Sequence, residues 1–377
     1  MQLLYLASEI LVLFILLVIL GKKNKQSHDK ILILWLFLIL VNTQGFNLQP
    51  GSRYYYFIEL SSAVVFLHGP VIFFYYLTLT SKKNILNGKH LLHLLPFIIN
   101  IGIIFPALMH QRLAAFTETE RNILMMAKLV SIILYTMITI VHLNWHIKTV
   151  RDYFSNMDKK DLQWLRLILY GILCIWILAI LSQVLVQLGN QYLFKKDEDL
   201  LVNIAVSLLV IILGYYGFRQ GSVFQNMPVR IVFKEQQPGE IAEVNQEQPP
   251  TPKYKKSGLN KELVQQLALS LQDHIVQKQP YLEPELTLQQ LAQAVKLSAN
   301  DLSQVINEYF GVNFFDFING YRVKAIKTAI ANGELDKKTL LGIALESGFN
   351  SKASFNRAFK KMTGLTPTEY IAASKSG

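Results

Sequence analysis

The sequence predicts an all-α protein of two dissimilar parts: an N-terminal seven-helix transmembrane bundle and, after a linker, a helical domain with two helix-turn-helix units joined by a long helix. Three observations predict it. Apolar runs near 20 residues long recur before residue 220 and not after it. Residues 221–257 are crowded with proline, glutamine and glutamate. From Leu259 onward, apolar residues recur at helical spacing, with no alternating strand pattern.

Composition agrees with this division. Of 377 residues, 51% are hydrophobic and 17% charged, and the mean hydropathy is +0.29. An ordinary soluble chain is about 25% charged. These values exclude a disordered or fibrous chain and argue against a fully soluble one. The single cysteine, Cys174, excludes an intrachain disulfide and a cysteine-ligated zinc site. No cofactor or metal is expected.

A helix crosses the hydrocarbon core in about 20 residues. The runs 2–20, 31–49, 56–80, 90–109, 123–146, 163–188 and 200–218 are near that length. The second is interrupted by Asn42, Gln44 and Gly45, and the fourth by Pro96, Asn100 and Pro106. The first does not read as a cleaved signal peptide, because no basic residue precedes it and Glu9 lies within it. Loop charge sets the orientation. The loops after the first, third and fifth runs carry Lys22, Lys23, Lys25 and Lys30, then Lys82, Lys83 and Lys89, then Lys148, Arg151, Lys159, Lys160 and Arg166. The intervening loops carry only Arg53, Arg112, Arg121, Lys195 and Lys196. The N-terminus is therefore expected outside and the C-terminus in the cytoplasm. Tyr54, Tyr55, Tyr56, Trp145 and Trp164 read as interfacial anchors.

The expected division is a transmembrane sensor domain over 1–220, a linker over 221–257 and a DNA-binding domain over 258–377. The linker cannot bury a core. As a flexible chain it spans on the order of 35 Å root-mean-square, which keeps the last domain near the membrane.

In the last domain, Leu259, Leu263, Leu267, Leu271 and Ile275 recur at spacing four. They read as the core face of an opening helix, with dimerisation as the alternative. Thr287-Leu288-Gln289-Gln290 fits a capping box starting a short helix to about Val295. Ser298 then caps a second helix with Leu302, Val305, Ile306 and Tyr309 inward and Asn300, Ser303, Gln304 and Asn307 outward. The plan repeats about fifty residues later. Leu340 to Ser347 is a short helix and Gly348 the break. Asn350 or Ser351 then caps a helix with Phe355, Ala358, Phe359 and Met362 inward. Its outer face carries Lys352, Ser354, Asn356, Arg357 and Lys360. A helix over about Phe314–Ala331 joins the units. Short helix, tight turn and a helix with a polar outer face is the arrangement that lays its second helix in the DNA major groove.

Residues 259–372 resemble the DNA-binding domain of the AraC/XylS family of bacterial transcription regulators. The resemblance rests on Leu286-Thr287-Leu288, Gly311, Phe317-Ile318-Asn319, Tyr321-Arg322-Val323, Ala344, Gly348-Phe349, Ser351, Phe355, Phe359-Lys360, Gly364-Leu365-Thr366-Pro367 and Tyr370. It implies base-facing positions at Asn300, Ser303 and Gln304 in the first recognition helix. In the second it implies Lys352, Ala353, Asn356 and Arg357. Two departures stand out. Lys296 occupies a turn position where many members have glycine, so a positive φ there costs on the order of 1 kcal/mol. Ala353 offers a thymine methyl contact but no hydrogen bond.

Charge separates the two units. Residues 281–319 hold Lys296 against Glu283, Glu285, Asp301, Glu308 and Asp316. Residues 320–365 hold nine Lys/Arg against Glu334, Asp336 and Glu346. Because phosphate contacts supply most non-specific affinity, the second unit is expected to anchor DNA and the first to add sequence reading.

The membrane half shows no enzyme motif, and no catalytic activity is expected. Ionisable groups inside a bilayer are expensive, so Glu9, Glu59, His68 and Lys128 are candidates for a ligand-sensing pocket, with a structural ion pair as the alternative. The reading is a one-component regulator in the bacterial inner membrane. Its expected partners are double-stranded promoter DNA, the lipid bilayer, a small-molecule or membrane-derived signal, a second copy of the chain and, for an activator, RNA polymerase. The alternatives are a passive membrane tether for the DNA-binding domain and a transporter with a regulatory tail.

Overall fold

The computed structural model describes residues 2–47, 54, 56–80, 88–110, 116–158, 160–187, 198–219 and 259–375. The linker expected at 221–257 lies outside them, as do Arg53, Tyr55, Lys82, Lys83, Arg112, Lys159, Lys195 and Lys196. The described residues are almost wholly helical, with no strand and a single isolated bridge, Phe154 to Thr287. The chain divides into two units, Met1–Asn144 with Leu162–Ile231, and Trp145–Asp161 with Val232–Gly377.

Seven α-helices fall where the apolar runs predict them: α1 Gln2–Leu20, α2 Ser27–Asn47, α3 Phe57–Thr80, α4 Leu95–Met109, α5 Glu118–Tyr153, α6 Gln163–Gln187 and α7 Glu198–Arg219. Among the described residues, four stretches have the length and apolarity of a membrane span: Phe57–Thr80, His90–Met109, Glu118–Tyr153 and Gln163–Leu181. Leu6–Leu20 and Ile204–Arg219 are shorter apolar helices. In the first unit, α2 packs on α1 and α3, α3 on α4, and α7 on α1 and α6. The polar break in the second run is explained by its partner. Asn42 Nδ2 donates to the Ser61 carbonyl at 3.1 Å, and Ser61 Oγ donates back to the Asn42 carbonyl at 3.3 Å. Tyr76 Oη donates to the His142 carbonyl at 3.0 Å, tying α3 to α5.

Several of these helices expose apolar side chains. On α5, Ile123, Met126, Val130, Leu134, Met137 and Val141 form an exposed stripe at helical spacing. On α4, Leu95, Ile98, Ile99, Ile103 and Phe105 are exposed. Apolar patches of this extent are costly in water.

The second unit carries α8 Lys261–Lys278, α9 Leu288–Ala294, α10 Ala299–Phe310, α11 Phe314–Ala331, α12 Leu340–Glu346, α13 Lys352–Thr363 and α14 Pro367–Lys375. Two cores flank α11. Leu271, Ile275, Leu288, Leu291, Leu302, Val305, Ile306, Phe314, Phe317 and Ile318 form one. Val323, Ile326, Ile343, Ala344, Phe349, Phe355, Ala358 and Phe359 form the other. The long helix thus contributes one stripe to each.

The opening stripe departs from expectation at its start. Leu263 is 38% exposed, and the buried face of α8 is Val264, Ala268, Leu271 and Ile275. A strict spacing of four advances about 40° per step on a helix of 3.6 residues per turn, so five such positions cannot share one face. Tyr309 is likewise 42% exposed, and Phe310 packs on the core in its place. Met362, expected inward, is 38% exposed.

Candidate nucleic-acid interface

Each recognition helix begins at a cap that the sequence specifies. Thr287 accepts from the Gln290 amide, and the Gln290 side chain returns to the Thr287 amide at 2.8 Å, so the capping box before α9 is complete. Ser298 accepts from the Asp301 amide at 3.1 Å to start α10. Ser351, rather than Asn350, starts α13, accepting from the Ser354 amide at 3.2 Å. Both recognition helices end on glycines in left-handed backbone, Gly311 and Gly364.

The two turns differ as their residues require. Gly348 has φ +93, and a Cβ there would lie 2.3 Å from the Tyr281 carbonyl oxygen. The equivalent turn of the first unit has Lys296 at φ 57. The left-handed conformation expected for Lys296 is present, with its strain. Replacing Lys296 by glycine is expected to stabilise the first unit by a few tenths to about 1 kcal/mol, the relief of strain being partly offset by extra freedom in the unfolded chain. Amide hydrogen exchange of α9 and α10 in the full chain reads this as slower exchange; unchanged or faster exchange contradicts it.

On α13, Lys352, Ala353, Asn356, Arg357 and Lys360 are exposed along one side. Ser354 is half-buried, and its hydroxyl donates to the Ser351 carbonyl at 2.9 Å, so it serves the cap. On α10, Asn300 is exposed and Ser303 half-buried, beside Asn307, whose Nδ2 donates to the Ser303 carbonyl at 2.7 Å. Gln304 is placed differently from its expected outer face. It is 3% exposed, and its Nε2 donates to Glu308 Oε1 at 3.1 Å. The reason is that α10 packs against α8, α9 and α11 together, so its buried arc is wider than one apolar stripe.

The likeness to known proteins falls within one region of the chain. Residues 291–373 match the family described as a helix-turn-helix domain. An uncharacterised HTH-type transcriptional regulator of Staphylococcus aureus (strain COL) is 37% identical over 86 residues, 23% of this chain and 11% of that protein. The uncharacterised HTH-type transcriptional regulator YtdP of Bacillus subtilis (strain 168) is 30% identical over 94 residues, 25% of this chain and 12% of its own. The chain thus spans only about a ninth of the length of these relatives. No solved structure matches the chain.

Behind the helix-turn-helix units lies a polar junction that sequence reading did not reveal. Arg322 of α11 is 1% exposed. Its guanidinium donates to the carbonyls of Tyr281 and Glu283, both at 2.7 Å, and to the carbonyl and hydroxyl of Ser155 at 3.2 and 3.1 Å. Burial lowers its pKa to about 10, against the raising influence of the Glu285 and Glu283 carboxylates, so it remains charged at neutral pH. Asn319, one helical turn before, donates to the Ser155 carbonyl at 3.2 Å. Glu285 accepts from Asn156 at 2.6 Å, Lys160 at 2.9 Å and Asn350 at 2.5 Å. Burial works against its ionisation, but these donors prevail and hold its carboxyl below the usual range. No local signal announces this junction, because Ser155 and Arg322 are 167 residues apart in the chain.

The candidate sensing residues lie in the first unit. Lys128 of α5 donates to Ser62 Oγ and stands 5.9 Å from the centroid of the Phe66 ring. Glu59 and His68 lie on the same helix as those two partners. Glu9 lies on α1, which packs on α2 and α7. His68 precedes Gly69-Pro70, where a Cβ on Gly69 would lie 2.8 Å from the Tyr135 ring, so this residue permits the close approach of α3 to α5.

Proposed function

We propose that the chain is a one-component transcription regulator of the bacterial inner membrane, with its N-terminus outside and its helix-turn-helix domain in the cytoplasm. The observation that carries it is the union of two surfaces in one polypeptide. One is an exposed recognition helix bearing Lys352, Asn356, Arg357 and Lys360; the other is a set of helices with exposed apolar stripes, most extensive on α4 and α5. The matched relatives are named as transcriptional regulators, which supports the DNA-binding half of the reading. The seven helices would receive a small-molecule or membrane-derived signal, with Glu9, Glu59, His68 and Lys128 as the residues that read it. Double-stranded promoter DNA is the output partner, joined by a second copy of the chain and, for an activator, RNA polymerase.

The division of labour between the units follows from exposure and charge. Arg357 and Lys360 supply phosphate and base contacts, while Asn300 reads a base without charge. Ala353 contributes only a methyl surface. Gln304, being buried, serves the fold of the first unit.

The test uses full-length protein in detergent and duplexes selected from a randomised pool. Arg357→Ala is expected to weaken binding to the selected duplex about 10- to 100-fold and to lower the salt slope by about one. Asn300→Ala is expected to relax preference at one base while leaving that slope unchanged. Recovery of no common sequence sinks the regulator reading. Release of the protein from membranes by alkaline extraction sinks the embedded one.

A further inference from the structure

Residues 145–161 are the last turns of α5 and the start of its connection to α6, yet they belong to the same compact unit as the helix-turn-helix domain. Their contacts fall into two groups of different strength. Tyr153 packs against the core of the first helix-turn-helix, and Phe154 pairs with Thr287. Ser155 is 1% exposed, held by Arg322 and Asn319, and its amide and hydroxyl both donate to the Leu286 carbonyl. Buried, multiply hydrogen-bonded groups of this kind are costly to separate.

Beyond this anchor the segment reaches the second recognition helix. Ser351, the cap of α13, donates its hydroxyl to Asp158 Oδ2 at 2.8 Å. Arg357 lies 4.0 Å from Asp158 Oδ1 and 3.6 Å from Asp161 Oδ2. Two carboxylates thus stand at the positive end of the recognition helix and beside the exposed Arg357 guanidinium, both of which also attract phosphate oxygens. Arg357 remains 54% exposed, so these ion pairs are of the weak, displaceable kind.

We propose that residues 153–161 are an anchored strap: Tyr153–Asn156 stay docked on the helix-turn-helix domain, while the carboxylates of Asp158 and Asp161 occupy Arg357 and the start of the second recognition helix in competition with DNA. The proposal rests on the DNA-binding reading above and gives it a regulatory contact. Because the strap continues directly from α5, a change in that helix has a covalent route to the DNA-binding face. The strength of the contact suits a switch, since the anchor holds the strap nearby while its tip yields to a polyanion.

The experiment compares full-length proteins in detergent on a mixed-sequence duplex of about 30 base pairs at low salt, where phosphate contacts dominate. Asp158→Asn with Asp161→Asn is expected to tighten binding several-fold. A control with the same charge change away from the recognition helix, Glu262→Gln with Asp273→Asn, is expected to change it less than about twofold. Equal effects in the two variants overturn the strap. A second arm joins Asp158→Cys to Ser351→Cys in a Cys174→Ser background. The oxidised, cross-linked protein is expected to lose binding and regain it on reduction; a cross-linked protein that binds normally, or a pair that does not cross-link, overturns the proposal. If the parent protein binds no duplex in any arm, the DNA-binding reading itself fails, an outcome distinct from a parent that binds and a strap that does not compete.

Discussion

Arg322→Ala is expected to unfold much of the helix-turn-helix domain rather than to weaken one contact within it. The guanidinium touches three pieces of chain at once: the turn after α8 through Tyr281, Glu283 and Pro284, the strap through Ser155, and α11 itself through Asn319. Its removal takes a charge-assisted donor from the carbonyls of Tyr281, Glu283 and Ser155 and opens a large void. Breaking a buried, charge-assisted network costs about 3–5 kcal/mol, set against a total of about 5–15 kcal/mol for a typical domain. Lysine at this position keeps the charge but not the planar fork that serves several acceptors, so Arg322→Lys is expected to recover only part of the loss. Hydrogen exchange in the full chain checks this: amides of α8 to α11 should lose protection by two orders of magnitude or more. Protection equal to the parent's would show that the network is dispensable.

The contrast between what local sequence announces and what Arg322 gathers explains which features were legible. Caps are decided within four residues, and Thr287, Ser298 and Ser351 sit where side-chain chemistry puts them. The linking helix matches the expected Phe314–Ala331 because Asn313 caps it and its apolar residues serve two cores. The polar Asn42 inside an apolar run was legible as a break but not as a partner of Ser61, nineteen residues on in the chain. Gln304 misled because a helical wheel shows one apolar stripe and not the number of neighbours that surround the helix. The strap escaped for a related reason. Its lysines, Lys159 and Lys160, read simply as loop charge, while the partners of Ser155, Asn156 and Asp158 lie well over a hundred residues away. One residue type therefore carries two separate demands, since Lys160 adds to the loop charge and also pairs with Glu285 at 2.9 Å.

Gly348→Ala is expected to be the most damaging single-methyl change in the second unit, and a neighbouring glycine provides the comparison. Gly348 and Gly333 both have left-handed backbone, at φ +93 and φ +73, so alanine incurs strain of about 1–2 kcal/mol at either. They differ in the space available. The nearest atom to a Cβ at Gly333 is Asp336 Oδ2, a mobile side chain 3.6 Å away. At Gly348 the Cβ would lie 2.3 Å from the Tyr281 carbonyl oxygen, 2.9 Å from Arg322 Nε and 3.1 Å from the Leu282 carbonyl carbon. None of these can step aside, because Arg322 Nε already donates to that same Tyr281 oxygen at 2.7 Å. Forcing them apart adds an overpacking cost of about 1–3 kcal/mol and strips Arg322 of a bond. Gly348→Ala should therefore raise proteolytic cleavage across α12 and α13 in the full chain and abolish DNA binding. Gly333→Ala should leave both near the parent's level. If the two variants behave alike, backbone strain alone accounts for the glycine, and the close approach of Gly348 to Tyr281 carries no weight.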